Sequence, residues 1–311
     1  MMKQIIEPIE RSKLLAELTE DKFLRKTSFG SNLIYTVNYE NSPNVMLEVG
    51  RLRELAFRFA GGGTGKEVDI DEYDTDSKYT YQQLIVWNPD VQEILGGYRY
   101  ILCGNARDEQ GNYHLATNEL FSFSPTFEKD YLPYVVELGR SFVHHEYQSG
   151  KHGRKGIFVL DNLWEGLGAV VASNPKMKYL FGKVTMYLHF DKLGRDYILY
   201  FMKKNFGDKE GLLYPNKPLP FHHPEEQLAK VFTGKNPKED YKILFQKVRA
   251  LKHNIPPLIN SYVNLSDTMK SFGTALNTGF GDVEETGILV TVSEIVPDKL
   301  NRYINSYKKN I

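Results

Sequence analysis

The sequence predicts an α/β or α+β fold, with helices laid on a central sheet, and three observations carry that expectation. Runs rich in β-branched and aromatic residues alternate with stretches whose apolar residues recur at helical spacing. No internal repeat or low-complexity tract breaks the order, and no linker is long enough to divide the 311 residues into independent domains. The composition is that of an ordinary folded chain, 41% apolar and 25% charged, with 39 Lys and Arg balanced by 39 Asp and Glu.

Taken in order, residues 12–19 read as a short helix and residues 33–39, led by Leu33, Ile34 and Tyr35, as a strand closed by Pro43. From Asn44 the apolar residues Val45, Val49, Leu52, Ala56 and Phe59 step by 4, 3, 4 and 3, which is a helix face. Glu48, Arg51, Glu54 and Arg58 fall on its other side, and Gly61, Gly62 and Gly63 stop it, leading into a mobile loop. After an acidic stretch, 67–76, two β-rich runs at 83–87 and 95–103 flank a turn at Asn88, Pro89 and Asp90 and read as an antiparallel pair. A strand at 134–144, a Gly/Lys-rich loop at 148–156, a helix at 157–172, a strand at 179–190 and a helix at 195–205 complete an expected core of 28–206. Pro215, Pro218, Pro220 and Pro224 are too many for helix or sheet, so 207–224 reads as a loop or lid before a helix at 238–252. Strands at 272–277 and 288–292 and a closing helix at 299–308 end the chain, so one domain, 1–311, is expected, with 207–256 as an insertion and 257–311 as an extension.

Zero net charge argues against a general nucleic-acid binder, although it does not forbid a local basic patch. The single Cys103 can form neither an internal disulfide nor a Cys-rich zinc site. The first 20 residues lack the apolar core of a signal peptide, and no apolar run of about 18 residues occurs, so a cytoplasmic location is expected. Residues 61–66, Gly-Gly-Gly-Thr-Gly-Lys, imitate a phosphate-binding loop. The spacing, however, puts Ala60 at the first Gly and Glu67 at the Ser/Thr, and the segment follows a helix instead of a strand. The pair His144 and His145, on a strand, would point to opposite faces, and no metal site is expected.

The informative residues are dispersed. Arg53 and Phe57 stand one helical turn apart. Asp71 and Asp74 lie three apart in the acidic stretch, Gly96 and Arg99 open one strand, and Glu137 and Arg140 lie three apart on the next. Charge on a helix flank or turn is usually solvated. Arg99 and Glu137 differ because they interrupt apolar strands, where a charge needs partners, either in a structural ion network or in a site.

Together these residues resemble the acyl-homoserine-lactone synthases and the wider acyl-carrier-protein-dependent N-acyltransferase branch of the GNAT fold. That family carries an Arg and a Phe four apart, Asp-x-x-Asp, Gly-x-x-Arg and Glu-x-x-Arg in this order. Leu163-Trp164-Glu165-Gly166-Leu167, Tyr179-Leu180-Phe181-Gly182 and Pro256-Pro257-Leu258-Ile259-Asn260-Ser261-Tyr262 look like its hemolysin-like subgroup, which includes the ornithine- and glycine-lipid N-acyl synthases. The resemblance covers roughly residues 33–295 and implies a GNAT-like fold, a mixed central sheet flanked by helices. It also implies transfer of a fatty acyl group, 3-hydroxylated in this subgroup, from acyl carrier protein to the amino group of glycine or ornithine. Arg53, Phe57, Asp71, Asp74 and Trp164 are its implied substrate-binding residues. Two departures stand out. The autoinducer synthases have an aromatic shortly after the Phe, where this chain has the Gly61 to Gly65 run. The coenzyme A pyrophosphate pattern also fails, since Lys151 stands three residues after Gln148. The second departure favours a phosphopantetheine donor on a carrier protein, with acyl-coenzyme A as the other donor and no permanently bound cofactor.

Amide formation from a thioester needs a neutral amine, a polarised carbonyl and a route for one proton. Glu137 is the candidate acceptor of that proton, with Arg99 and Arg140 keeping the acidic groups ionised and oriented. The resemblance implies an oxyanion site of backbone N–H groups where the Glu137 strand splays from its neighbour. Lys151, His152, Arg154 and Lys155 form a basic loop at a helix start that suits a phosphate or an acidic carrier protein, or is simply solvated. Tyr179, Phe181, Val184, Met186 and Leu188, with the Trp164 helix, could line an acyl slot or simply form core. A lactone synthase using S-adenosylmethionine and a catalytically silent binding protein are the rival readings. Oligomeric state and peripheral membrane contact are left open.

Overall fold

The computed structural model describes residues 2–148 and 155–307, with side chains in the second stretch from Phe158 onward. In chain order the elements are α1 (Arg11–Glu17), β1 (Phe23–Lys26), β2 (Leu33–Val37), α2 (Pro43–Ala60), α3 (Glu72–Thr75), β3 (Gln82–Asn88), β4 (Glu93–Leu102), β5 (Phe121–Phe123), β6 (Val135–Val143) and α4 (His145–Gln148). They continue with α5 (Lys155–Ser173), β7 (Tyr179–Met186), α6 (Lys192–Phe206), β8 (Leu213–Pro215), α7 (Glu225–Val231), α8 (Pro237–Ala250), α9 (Pro257–Val263), β9 (Lys270–Asn277), β10 (Val283–Thr291) and α10 (Pro297–Leu300). They group into two compact units, one of residues 1–115, 134–177 and 297–311, the other of residues 116–133 and 178–296.

The first unit is built on β1, β2, β3, β4 and β6, each antiparallel to the next. Residues directly opposed in a sheet share a face. Gln83 opposes Arg99, which opposes Gly139, and Ile101 opposes Glu137, so these side chains lie on one face. That face meets α2, whose Arg53 reaches Gln83. The alternate residues meet α5. Leu84 packs closely at Gly166, Val159 at Gly96, and Tyr98 against Trp164 at 6.5 Å. One irregularity matters. Gly97 opposes Phe142 whereas Arg99 opposes Gly139, so Tyr98 faces two residues, Arg140 and Ser141, in a β-bulge. Arg140 takes φ +48° there, a left-handed conformation that is uncommon outside glycine.

The second unit places β7, β10 and β9 in an antiparallel sheet and pairs β5 with β8. Three of its buried charges, Arg195, Asp196 and Glu284, form their own cluster. Arg195 binds Asp196 at 2.7 Å and Glu284 at 2.8 Å, and Asp196 accepts from the His223 backbone N–H while its Oδ2 lies 2.8 Å from the His223 Nδ1. The proline-rich stretch, expected to be all loop, holds the short edge strand β8, with Pro215 at its end, and the rest is a fastened loop: Leu219 N–H donates to Thr274, and Arg195 donates to the Pro220 carbonyl.

Four local expectations change. Glu48 and Glu54 are buried, because Glu48 takes the Ile9 N–H and Glu54 takes the N–H groups of Thr64 and Gly65, each with an arginine alongside. Phe59, expected on the apolar face, is 63% exposed, while Arg53 lies fully buried. The strand from Tyr179 stops at Met186, where a turn leads to Asp191, the N-cap of α6. The closing helix is a short α10 followed by a π-helical turn, Asn301–Asn305.

Candidate active site

The acidic segment owes its shape to the spacing of its carboxylates. Asp71 is the N-cap of α3 and Asp74 its third residue. The Asp74 N–H donates to Asp71 Oδ1 and the Asp71 N–H to Asp74 Oδ2, both at 3.3 Å, a reciprocal capping box that four residues can close. This turn aims two carboxylates and Tyr73 at the sheet.

Three arginines meet it. Arg53, one turn before the buried Phe57 on α2, contacts Asp74 at 3.0 Å and donates to the Asp69 carbonyl and to Gln83. Arg99 contacts Asp71 at 2.5 Å and Asp74 at 3.2 Å. Arg140 contacts Asp69 at 3.0 Å and Asp71 at 3.3 Å, and these pairs hold its left-handed backbone, which costs about 1–3 kcal/mol. Burial alone would raise the Asp74 pKa, but Arg53 and Arg99 together hold its carboxyl well below the usual carboxylate range. At Asp69 burial is the larger influence and pushes the carboxyl up against the pull of Arg140, Arg53 and Arg99. Arg99, although buried, is driven well above its usual value by Asp74 and Asp71 and is a permanent cation.

Glu137 lies on the same sheet face and is 2% exposed. It accepts a hydrogen bond from the Tyr81 hydroxyl at 3.0 Å. The Arg99 guanidinium lies over the Tyr81 ring, 5.2 Å from its centre, and over Tyr73 at 5.6 Å. Cys103 lies close by, and burial together with the Glu137 charge pushes its thiol well up, which keeps it a neutral thiol.

The structure therefore gathers Arg53, Asp71, Asp74, Arg99 and Arg140 into one network, with Glu137 linked to its edge through Tyr81. Trp164 is not brought there. It packs on the opposite sheet face, between Tyr98 and Tyr303. The expected acyl-slot residues also separate, because strand alternation sends Tyr179 and Phe181 to one face of β7 and Val184 and Met186 to the other, with Leu188 beyond its end and 59% exposed. Lys151 and Arg154 lie outside the described residues, as does the Lys155 side chain. His144 and His145 stack on one another at 4.8 Å, because the strand ends before them and α4 begins. Among the described residues no group of His, Cys, Asp or Glu is placed to hold a metal ion. The glycine loop is filled from within: Glu54 accepts from Thr64 N–H and Oγ1 and from Gly65 N–H, the groups a phosphate would need. It is tethered to α2 by these bonds.

Sequence reasoning missed Asp69, Tyr73, Tyr81 and Gln83. Gln83 carried the signal that exposed Arg99 and Glu137, a polar residue heading the apolar run Leu84, Ile85, Val86, Trp87. Asp69 alternates with Asp71 between Val68 and Ile70, the period of extended chain.

A family model of the acetyltransferase (GNAT) domain matches residues 52–154, the stretch that holds this network. Over 99% of its length the chain is 57% identical to a glycine N(alpha)-acyltransferase of Phocaeicola vulgatus, covering 94% of that protein. The chain belongs to the glycine N(alpha)-acyltransferase family. A second relative of that name, from Bacteroides thetaiotaomicron, is 56% identical over 98% of the chain and 91% of its own length. Among solved structures, FeeM, an N-acyl amino acid synthase from uncultured soil microbes, aligns with a TM-score of 0.43 at 10% identity, covering 86% of this chain and 97% of that one. As a family member the chain is an N-acyltransferase of amino acids on a GNAT fold, as its motifs implied. Among the described residues no helix is long and apolar enough to cross a membrane.

Proposed function

We propose that this chain transfers a fatty acyl group, 3-hydroxylated, from the phosphopantetheine thioester of acyl carrier protein to the amino group of glycine, in the cytoplasm. The observation that carries the acceptor is the 57% identity, sustained along 99% of the chain, to a protein named for glycine. The amine attacks the thioester carbonyl, a C–N bond forms, the C–S bond breaks, and the carrier leaves as a thiolate that takes a proton from solvent. Glu137 takes the ammonium proton of the addition intermediate, directly or through a water, and a buried carboxylate already paired with one phenol suits that task. A backbone N–H of β6 receives the negative oxygen. Arg53 and Asp74, buried and bound to each other, support the site from below, and Arg99 and Arg140 balance the charge of Asp69, Asp71 and Asp74 around it.

The test is direct. The purified chain is incubated with 3-hydroxyacyl carrier protein and, separately, 3-hydroxyacyl-coenzyme A, against glycine, ornithine and other amino acids, with products read by mass spectrometry. N-acylglycine formed fastest from the carrier protein supports the proposal. Ornithine as the better acceptor overturns the glycine assignment, and coenzyme A as the better donor overturns the carrier.

A further inference from the structure

We infer that Tyr81 is a positioning residue that fixes the Glu137 carboxylate, and that Arg99 acts on Glu137 through the Tyr81 ring. This rests on the reading of Glu137 as the proton acceptor. Arg99 and Glu137 share a sheet face, which invites the view that the arginine simply attracts the carboxylate. The contacts show a route through Tyr81. Arg99 Nη1 is held by Asp71 and Asp74, and the guanidinium plane lies over the Tyr81 ring. Tyr73 closes on the same ring edge-on, at 5.6 Å and 73°. The Tyr81 N–H donates to the Tyr73 carbonyl at 3.1 Å. Ring and backbone are thus fixed by the turn that carries Asp71 and Asp74, and the hydroxyl is delivered to Glu137 Oε1 at 3.0 Å.

That bond does two things. It orients the carboxylate, and it favours its charged form, the form that accepts a proton. Tyr81 before β3 and Cys103 beyond the end of β4 face Glu137, Arg99 on β4 shares its sheet face, and Arg140 on β6 turns to Asp69 and Asp71. Asp69, Asp71, Asp74 and Arg53 stand behind the arginines. Only Tyr81 among them combines a neutral donor with a ring clamped from two sides.

The test compares the pH dependence of kcat/KM for glycine in wild type, Tyr81→Phe, Glu137→Gln and the double variant, followed by thiol release. The ionisation of glycine itself is common to all four. Losing the donor destabilises the ionised carboxylate, so Tyr81→Phe moves the acid limb to higher pH, with kcat/KM roughly three- to tenfold lower on that limb. In the Glu137→Gln background the same change has no further effect. An unmoved limb, or an equal loss in both backgrounds, overturns the inference while leaving Glu137 as the base. Wild-type turnover by Glu137→Gln overturns the base reading and this inference with it. Should Tyr81→Phe not fold, Tyr73→Leu loosens the ring and keeps the hydroxyl. The limb then moves the same way by less, and an unmoved limb again overturns the inference.

Discussion

At Asp74, 1% exposed, two guanidinium groups converge on one carboxylate. Asp74→Asn would leave Arg53 buried among neutral partners, while Arg99 keeps only Asp71, at a cost of about 3–5 kcal/mol. The midpoint of urea unfolding at pH 7 should fall accordingly. The pH dependence has a definite sign. The folded-state pKa of Asp74 is depressed, so its contribution is complete above the unfolded carboxylate value, about pH 4, and is lost as pH falls toward the folded value. The stability gap between wild type and Asp74→Asn should therefore narrow on acidification, and a gap constant from pH 7 down to about pH 3 would mean that the ionised carboxylate contributes nothing. Asp69 acts oppositely: its pKa is raised by burial, so it favours the folded chain at acid pH and loses that contribution as pH rises through its folded value.

At the level of elements, β4 and β6 are held close by a residue without a side chain. A Cβ on Gly96 would lie 2.7 Å from the Phe142 carbonyl oxygen and 2.9 Å from Val159, so Gly96→Ala must widen the strand pair or lift α5. We expect about 1–3 kcal/mol of destabilisation, with a disproportionate loss of thiol release because Glu137 rides on the displaced strand. Urea midpoint and turnover measured together check this, and wild-type values for both would show that the sheet tolerates the contact. The same elements show what a sequence can tell. The helix at 43–60 was legible because burial on one side imposes a period, and the strands at 82–88 and 93–102, buried on both faces, because they are near-continuous runs of apolar, β-branched and aromatic residues. Glu54 was not, since its burial depends on N–H groups ten and eleven residues on, which no period records. Arg99 and Glu137 were visible as charges in apolar strands, whereas Tyr81 was hidden, because an aromatic at a strand start is equally at home in any core. The acyl-slot set failed for a simple reason: residues with the right chemistry were grouped without respect to strand alternation.

For the molecule as a whole, 39 positive and 39 negative side chains leave no net charge to draw a partner in, so the proposed acidic carrier would have to be recognised through a local patch. Reversing charge at Lys151, Arg154 and Lys155 should raise KM for acyl carrier protein and leave KM for glycine unchanged. An unaltered KM for the carrier would remove the basic loop from the docking surface. The bulge in β6 bears on how such a chain can change over time. On a flat strand, residues an odd number apart point to opposite sides, so Glu137 and Arg140 should diverge. The extra residue opposite Tyr98 reverses that parity and lets a separation native to helices serve on a sheet. Deleting Ser141 would straighten the strand and leave Phe142 opposite Gly97, while carrying Arg140 through the sheet to the side of α5, away from Asp69 and Asp71. This stretch therefore has room for substitution and almost none for loss of a residue.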